Sequence, residues 1–218
     1  YDYGARHYDA VLGRFTTNDR FAEKYYSMSP YQYGANSPVG NIDVNGDSII
    51  IKPNANGIID QIKVLFGYDT KFQKDVKADL FQLKQDDKKV ADIIGKLEES
   101  KNIHYITMPK KGEYNSTGFN ADKVKKNISQ GSEIYYNPYN RRRGRNDSDM
   151  RTPRIGLAHE LQHSFDVDKK VATYERTKNG ILLMDIRAIN TENRIRKVIG
   201  EPKRTMYGTQ KVPKELLE

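Results

Sequence analysis

Between Ile155 and Phe165 the chain reads Ile-Gly-Leu-Ala-His-Glu-Leu-Gln-His-Ser-Phe. Apolar residues recur in this stretch at the spacing of one helical face: Ile155, Ala158, Leu161 and Phe165. Just upstream, Thr152 is of a type preferred at the N-cap of a helix, and Pro153 suits the first helical position. The pattern therefore predicts an amphipathic helix that begins near residue 152 and packs one side against a core.

The same stretch contains the pattern HExxH, from His159 to His163. On a helix, side chains four positions apart lie on one face, so both imidazoles can reach one cation. Neutral imidazole suits Zn²⁺, and Glu160 beside it could take a proton from water activated by the metal. Two surface histidines without a metal are the alternative, but two of only four histidines in the chain lie here. We predict zinc ligands at His159 and His163 and a general base at Glu160.

Two arrangements could supply a third ligand. A metzincin would need a histidine or aspartate at position 169 and a glycine at position 166, but these positions hold Lys169 and Asp166. That class is excluded. The other arrangement takes an acidic residue from a second helix, and the stretch from Asp185 to Arg196 has the spacing for one.

On that second helix, Asp185, Ala188, Ile189 and Glu192 share one face, so both carboxylates could point into a cleft. The preceding Lys178-Asn179-Gly180 is typical of a tight turn, which would bring the helix back beside the first. We predict Asp185 as the third ligand and Glu192 as the residue that orients an imidazole through its other nitrogen. Two alternatives stay open: the two roles are exchanged, or both carboxylates are solvated helix charges.

The chain from Ile155 to Gly208 resembles the effector-type zinc metallopeptidases. The resemblance rests on HExxH, the acid before Arg187-Ala188, the run Glu192-Asn193-x-Ile195-Arg196, and Gly200-Glu201-Pro202-Lys203-Arg204-Thr205-Met206-Tyr207-Gly208. These enzymes occur as secreted bacterial effectors and as C-terminal toxins of RHS proteins. The resemblance implies a zincin-like α+β domain that acts as a metalloendopeptidase on a target-cell protein. The family usually has Glu where Asp185 stands, and a shorter acid needs a closer backbone.

Within that run, Arg204-x-x-Tyr207 resembles a pair in clostridial neurotoxin light chains. The resemblance implies that a cation and a phenol stabilise the developing oxyanion. The alternative is that Arg204 forms a salt bridge with a helix end and Tyr207 only packs. No motif describes the walls of a substrate cleft, so the residues that bind substrate are not predicted.

Residues 1–47 have a different composition, rich in Tyr, Gly, Asn and Asp. The stretches Tyr1–Asp9, Leu12–Phe15 and Ser29–Pro38 resemble the RHS-repeat-associated core motif. The resemblance implies the end of a large β-cage at 1–47, followed by a toxin domain at 48–218 that is secreted or delivered into a target cell as the C-terminal part of a larger RHS protein. Family members commonly carry Asp-Pro-x-Gly near this boundary. The matching Asp19–Ala22 and Asp43–Gly46 lack the proline, which argues against self-cleavage here.

The net charge of +8 and the pI of about 9.4 favour acidic partners, among them an acidic immunity protein. They also allow a second hypothesis, a nuclease-type toxin that uses the basic cluster Arg141, Arg142, Arg143 and Arg145. In a third, the chain is a non-catalytic, zinc-stabilised binding module. The chain has no cysteine, so thiolate metal sites are excluded. No apolar run approaches the roughly 20 residues of a membrane span.

The remaining pattern predicts a mixed α+β domain. Short β-branched or alternating runs predict strands over 48–52, 103–108 and 132–136. Apolar residues at helical intervals predict a short helix over 58–66 and one or two amphipathic helices over 75–100. Residues 137–149 are polar and predict a loop. His104 falls within an apolar strand and is predicted to be a core or edge residue.

Overall fold

The structure, a computed structural model, describes residues 6–18, 29–31, 33, 42–43, 48–54, 58–66, 68–144 and 147–218; the side chains of 42–43 and 142–150 are not described. It is a mixed α+β fold. The helices are α1 (Ile58–Leu65), α2 (Lys71–Asp86), α3 (Lys88–Glu98), α4 (Ala121–Lys125), α5 (Pro153–Asp168) and α6 (Leu183–Ile199), followed by a 3-10 turn at Lys214–Leu216. The strands are β1 (Tyr8–Asp9), β2 (Arg14–Phe15), β3 (Ile42–Asp43), β4 (Ile49–Ile51), β5 (His104–Thr107), β6 (Ser116–Gly118), β7 (Ser132–Tyr135), β8 (Arg142–Gly144), β9 (Asp147–Met150), β10 (Met206–Tyr207) and β11 (Gln210–Lys211).

A five-stranded sheet in the order β3-β4-β5-β7-β6 forms the centre of the fold. Strands β4, β5 and β7 are parallel, whereas β3 and β6 pair antiparallel at the two edges. Parallel neighbours need long crossover connections, and α2 and α3 supply the one between β4 and β5. Along one row of the sheet Ile51, Ile106 and Ile134 pair in register with Thr117 of the edge strand.

Helix α5 lies between this sheet and α6, and it is buried along nearly its whole length. Its apolar residues Ile155, Leu157 and Leu161 belong to the same core cluster as Ile106 and Ile134 of the sheet. Because the helix is buried on all sides, its acidic residues Glu160, Asp166 and Asp168 are buried together with its apolar ones.

A buried chain of hydrogen bonds also fixes α5 to the sheet. The Ser132 hydroxyl on β7 donates to the Ser164 hydroxyl at 2.8 Å, and the Ser164 hydroxyl donates to the Glu160 carbonyl at 3.2 Å. The ring of His104, which is fully buried, joins the chain through Nδ1, 2.9 Å from the Ser132 hydroxyl. His104 is therefore the core residue that its strand pattern predicts.

Most predicted elements are confirmed. Strands β4, β5 and β7 and helices α1, α2 and α3 lie within two to four residues of the predicted ranges. The predicted loop over 137–149 is wrong in its second half, because β8 and β9 pair antiparallel there. Ladder hydrogen bonds are made by the backbone, so a polar segment next to Gly144 can form a hairpin without an alternating apolar pattern.

The predicted RHS-like segment is described only in part. Residues 1–5, 19–28, 32, 34–41 and 44–47 of this segment lie outside the described residues. Tyr8, Phe15 and Tyr33 form an aromatic cluster with ring centroids 4.6–5.8 Å apart. Strand β3 pairs with β4 across the predicted boundary near residue 47, and that boundary stays a prediction. In the described part of the chain, no helix is both long and apolar enough to span a membrane.

Candidate active site

Helix α5 starts where its sequence predicts, with Thr152 at the N-cap and Pro153 in the first turn. The Thr152 hydroxyl does not cap the helix. It donates instead to Glu201 Oε1 at 2.6 Å, in the segment that follows α6. This bond joins the start of α5 to the chain that leads on to Arg204 and Tyr207.

His159 and His163 point their Nε2 atoms toward each other, 3.3 Å apart. A tetrahedral zinc ion with Zn–N distances of about 2.0–2.1 Å keeps two coordinating nitrogens about 3.3 Å apart. Burial lowers the pKa of His163 to about 3, so its ring is neutral at physiological pH and keeps a lone pair for a cation. The imidazole pair therefore fits the spacing that zinc requires, and His163 also has the protonation state that it requires.

Asp185, in the first turn of α6, lies beside this pair. Its Oδ1 is 3.6 Å from His163 Nε2, and its carboxylate also accepts a hydrogen bond from the Tyr207 hydroxyl. Burial raises the pKa of Asp185 above its ordinary value, as expected for a carboxylate far from water. Within the described ranges, no three or more His, Cys, Asp or Glu side chains form a group that could hold a metal as they stand. A three-ligand site here thus requires the Asp185 carboxylate to reorient.

Glu192 lies two helical turns further along α6 and is completely buried. Its Oε2 is 3.5 Å from Nδ1 of His159, the ring nitrogen that does not face His163. The carboxylate is also paired with the guanidinium groups of Arg151 and Arg204. Burial alone would raise the pKa of Glu192, but Arg151 and the other positive groups hold it well below the ordinary value. Glu192 is therefore an anion, held behind His159.

Glu160 is 5% exposed and projects beside the two histidines. Its Oε2 accepts a hydrogen bond of 2.9 Å from the Thr117 hydroxyl on β6. Burial raises the pKa of Glu160, which brings a carboxylate closer to the proton affinity that a general base needs.

These side chains border one cleft of about 360 Å³. One wall comes from β6 and the residues beside it, another from α5, and the others from α6 and the hairpin β10–β11. The lining includes six of the seven predicted site residues, all except Glu192: His159, Glu160, His163, Asp185, Arg204 and Tyr207. Of the remaining lining residues, four are apolar or aromatic, namely Phe119, Tyr174, Leu182 and Met184, and four are polar, namely Asn115, Ser116, Thr117 and Arg151.

Arg204 and Tyr207 lie side by side next to α6. The Arg204 guanidinium is paired with Glu192 and lies 5.4 Å from the centre of the Tyr207 ring. Its Nε donates to the Met206 carbonyl at 3.0 Å. The Arg204 backbone is held by Asn193 of α6, whose Oδ1 accepts from Arg204 N at 2.7 Å. Both side chains border the cleft, and Arg204 is at the same time part of a buried ion pair.

Sequence reasoning missed Arg151, Thr117 and Gly156. A Cβ on Gly156 would lie 2.6 Å from Arg151 Nη2 and 2.5 Å from Asn115 Nδ2, so the glycine makes room for the guanidinium against α5. A glycine inside the HExxH helix is the one signal that could have indicated a close approach. Of the basic cluster at 141–145, the side chains of Arg142 and Arg143 and all of Arg145 lie outside the described residues.

No known protein family, curated protein or solved structure matches this chain.

Proposed function

We propose that this chain carries a zinc-dependent endopeptidase of zincin-like fold, which acts as a toxin on a protein of the cell into which an RHS protein delivers it. One observation carries the proposal. The Nε2 atoms of His159 and His163 lie 3.3 Å apart in a cleft that the Glu160 carboxylate also borders. A metal ligand pair and a buried carboxylate in one cleft are what metal-assisted hydrolysis needs.

His159, His163 and Asp185 would hold the zinc ion, and Glu192 would fix the ring of His159 from behind. When bound, zinc acts as a Lewis acid that polarises a carbonyl and acidifies water. Glu160 accepts the proton of the attacking water and returns it to the leaving amine. The pKa of Tyr207 is raised by burial and by Asp185, so its hydroxyl stays protonated. Once the Asp185 carboxylate turns to the zinc ion, the Tyr207 hydroxyl would be released to donate to an oxyanion, with the positive charge of Arg204 nearby.

The position of β6 supports a polypeptide as the substrate. It is the outer strand of the sheet, and no other strand in the described part of the chain pairs with its far edge, so that edge can offer backbone groups beside the cleft. An extended peptide can add to such an edge as a further strand, which would lay its backbone along the metal ligands. A cleft bordered by an open strand edge therefore favours protein over a small-molecule substrate.

Of the competing hypotheses, the non-catalytic zinc module fits the cleft less well. Structural zinc sites are closed by four protein ligands, whereas catalytic sites keep one position open. The cleft beside His159 and His163 leaves such a position accessible, and Glu160 borders it. For the nuclease hypothesis, both arginines of the cleft, Arg151 and Arg204, are already paired with Glu192 and so are poorly available to phosphate.

The test replaces Glu160 by Gln, which keeps the shape of the side chain and removes the base. Target cells that express the chain should gain new protein termini, and cells that express Glu160→Gln should not. Both proteins should contain the same amount of zinc, measured by elemental analysis, and the activity loss should be about 100-fold or more. New termini of equal abundance with the Gln variant would rule out this mechanism.

The toxin part of the proposal has its own readout. Growth of the expressing cells should stop with the parent chain and continue with Glu160→Gln. An acidic immunity protein should restore growth by binding this basic chain, and binding should weaken as salt is raised.

A further inference from the structure

Thr117 connects the edge strand of the sheet to the carboxylate that acts as the base. Its hydroxyl lies 2.9 Å from Glu160 Oε2 and 3.1 Å from the Glu160 backbone carbonyl. Thr117 pairs with Ile134 in the sheet, and the packing of β6 on β7 therefore fixes where its hydroxyl points.

One hydroxyl has one hydrogen, so it can satisfy only one of these two acceptors at a time. The Glu160 carbonyl already has hydrogen-bond donors, because it accepts within α5 as other helix carbonyls do and also accepts from the Ser164 hydroxyl at 3.2 Å. Among the described residues, Thr117 is the one hydrogen-bond donor to the Glu160 carboxylate. The carboxylate therefore depends more on this hydrogen bond than the carbonyl does, and the Thr117 hydroxyl donates to Oε2.

Because only one oxygen of the Glu160 carboxylate accepts a hydrogen bond from Thr117, the two carboxylate oxygens are not equivalent. Oε2 is held by Thr117, which leaves Oε1 to take the proton from water. Without that hold, the carboxyl group can rotate about its terminal bond, a torsion with broad and shallow preferences. A carboxylate that rotates spends less time aligned with the water proton that it must accept, and this alignment governs the rate of proton transfer.

We infer that Thr117 is a positioning residue for the peptidase reaction: it fixes the Glu160 carboxylate so that Oε1 acts as the base. The inference rests on the proposed function. Since Thr117 is part of the strand that borders the cleft, the same strand aligns the base and forms the wall along which substrate binds.

The experiment compares two variants in the full chain. Thr117→Val has the same shape but no hydroxyl, and Thr117→Ser keeps the hydroxyl and loses a methyl group. The substrate is a quenched fluorogenic peptide that spans a cleavage site mapped from the new protein termini. Melting temperature and zinc content are measured on all three proteins.

We expect Thr117→Val to lower kcat by about 10- to 100-fold, with KM changed by less than about twofold, since an aligned base matters in the transition state and not in binding. Thr117→Ser should restore kcat to within about threefold of the parent. All three proteins should hold the same amount of zinc.

Three results would overturn the inference: parent-like kcat in Thr117→Val, a Thr117→Ser variant as slow as Thr117→Val, or a loss carried by KM or by zinc content. Failure of the unmodified chain to cleave any protein would instead overturn the proposed function. The two failures are thus distinguishable.

Discussion

The two acids of α6 contact different atoms of the imidazole pair, although their types and spacing in the sequence would allow either role. Asp185 lies near Nε2 of His163, on the side where a cation would bind, whereas Glu192 lies near Nδ1 of His159, on the opposite side. Glu192 also has two guanidinium partners, and Asp185 has a phenol. These surroundings support Asp185 as a ligand and Glu192 as the residue that orients a ring.

Replacement of Glu192 by Gln should strongly destabilise the fold. The change leaves Arg151 and Arg204 buried without a counter-charge, and removing one partner of a buried ion pair costs about 3–5 kcal/mol. Urea unfolding at neutral pH measures the loss. Glu99→Gln, at an exposed position, is the control and should change the free energy of unfolding by less than about 0.5 kcal/mol.

The loss of unfolding free energy in Glu192→Gln should also depend on pH, in a direction set by the pKa of Glu192. The folded state lowers the pKa of Glu192, so its contribution is complete above the unfolded pKa, about 4.3, and disappears as pH falls through the lower folded value. The difference between parent and variant should therefore be constant near neutrality and shrink only in acid. A difference that grows as the pH falls would contradict the ion-pair account.

At the scale of the element, α5 contains Gly156, and replacing it by alanine should destabilise the fold, although Gly→Ala in a helix usually stabilises. An exposed helical Gly→Ala substitution stabilises by roughly 0.5–1 kcal/mol. At Gly156 the added Cβ would meet Arg151 and Asn115 at 2.5–2.6 Å, and Arg151 cannot easily move because it is buried and paired with Glu192. We expect Gly156→Ala to lower the free energy of unfolding by about 1–3 kcal/mol, the usual cost of overpacking.

Gly95 in α3 provides the matched control. A Cβ there meets no atom within 4 Å, and its φ is not in the left-handed region. Gly95→Ala should therefore stabilise by about 0.5–1 kcal/mol in the same urea assay. If both alanine variants were stabilised, the close approach of Arg151 to α5 would not be a real constraint.

Helices α5 and α6 could be predicted because both have apolar or acidic residues at helical spacing, with the start signal Thr152-Pro153 before α5 and the turn Lys178-Asn179-Gly180 before α6. Gly200 has φ +76°, the left-handed conformation in which helices commonly end. Strand β6 could not be predicted, since Ser116-Thr117-Gly118 has no apolar alternation and exists because β7 offers it an edge. Thr117 and Arg151 were missed for the same reason: their roles depend on contacts across the fold, to residues far away in the sequence.

At the scale of the whole molecule, the contacts that hold the fold together do not include the candidate metal ligands, so folding should not depend on metal binding. Helix α5 is held by the core cluster and by the hydrogen bonds through Ser132 and Ser164, none of which involves the imidazole pair. The fold should therefore persist without zinc, unlike small zinc domains whose folding requires the metal. Zinc should still stabilise it, because a cation that binds the folded state alone shifts the unfolding equilibrium.

The expected size of that shift follows from mass action. At a free zinc concentration of about 100 times Kd the stabilisation is about 2.7 kcal/mol, which for a chain of this length raises Tm by roughly 5–11 °C. Differential scanning calorimetry with zinc and after chelation measures it. Asp185→Asn should fold like the chelated parent and respond weakly to zinc, since it lacks the anionic ligand, whereas Glu160→Gln should respond fully. If the chelated parent were already unfolded, the core would not hold α5 by itself. If Tm did not change with zinc, His159 and His163 would not be zinc ligands.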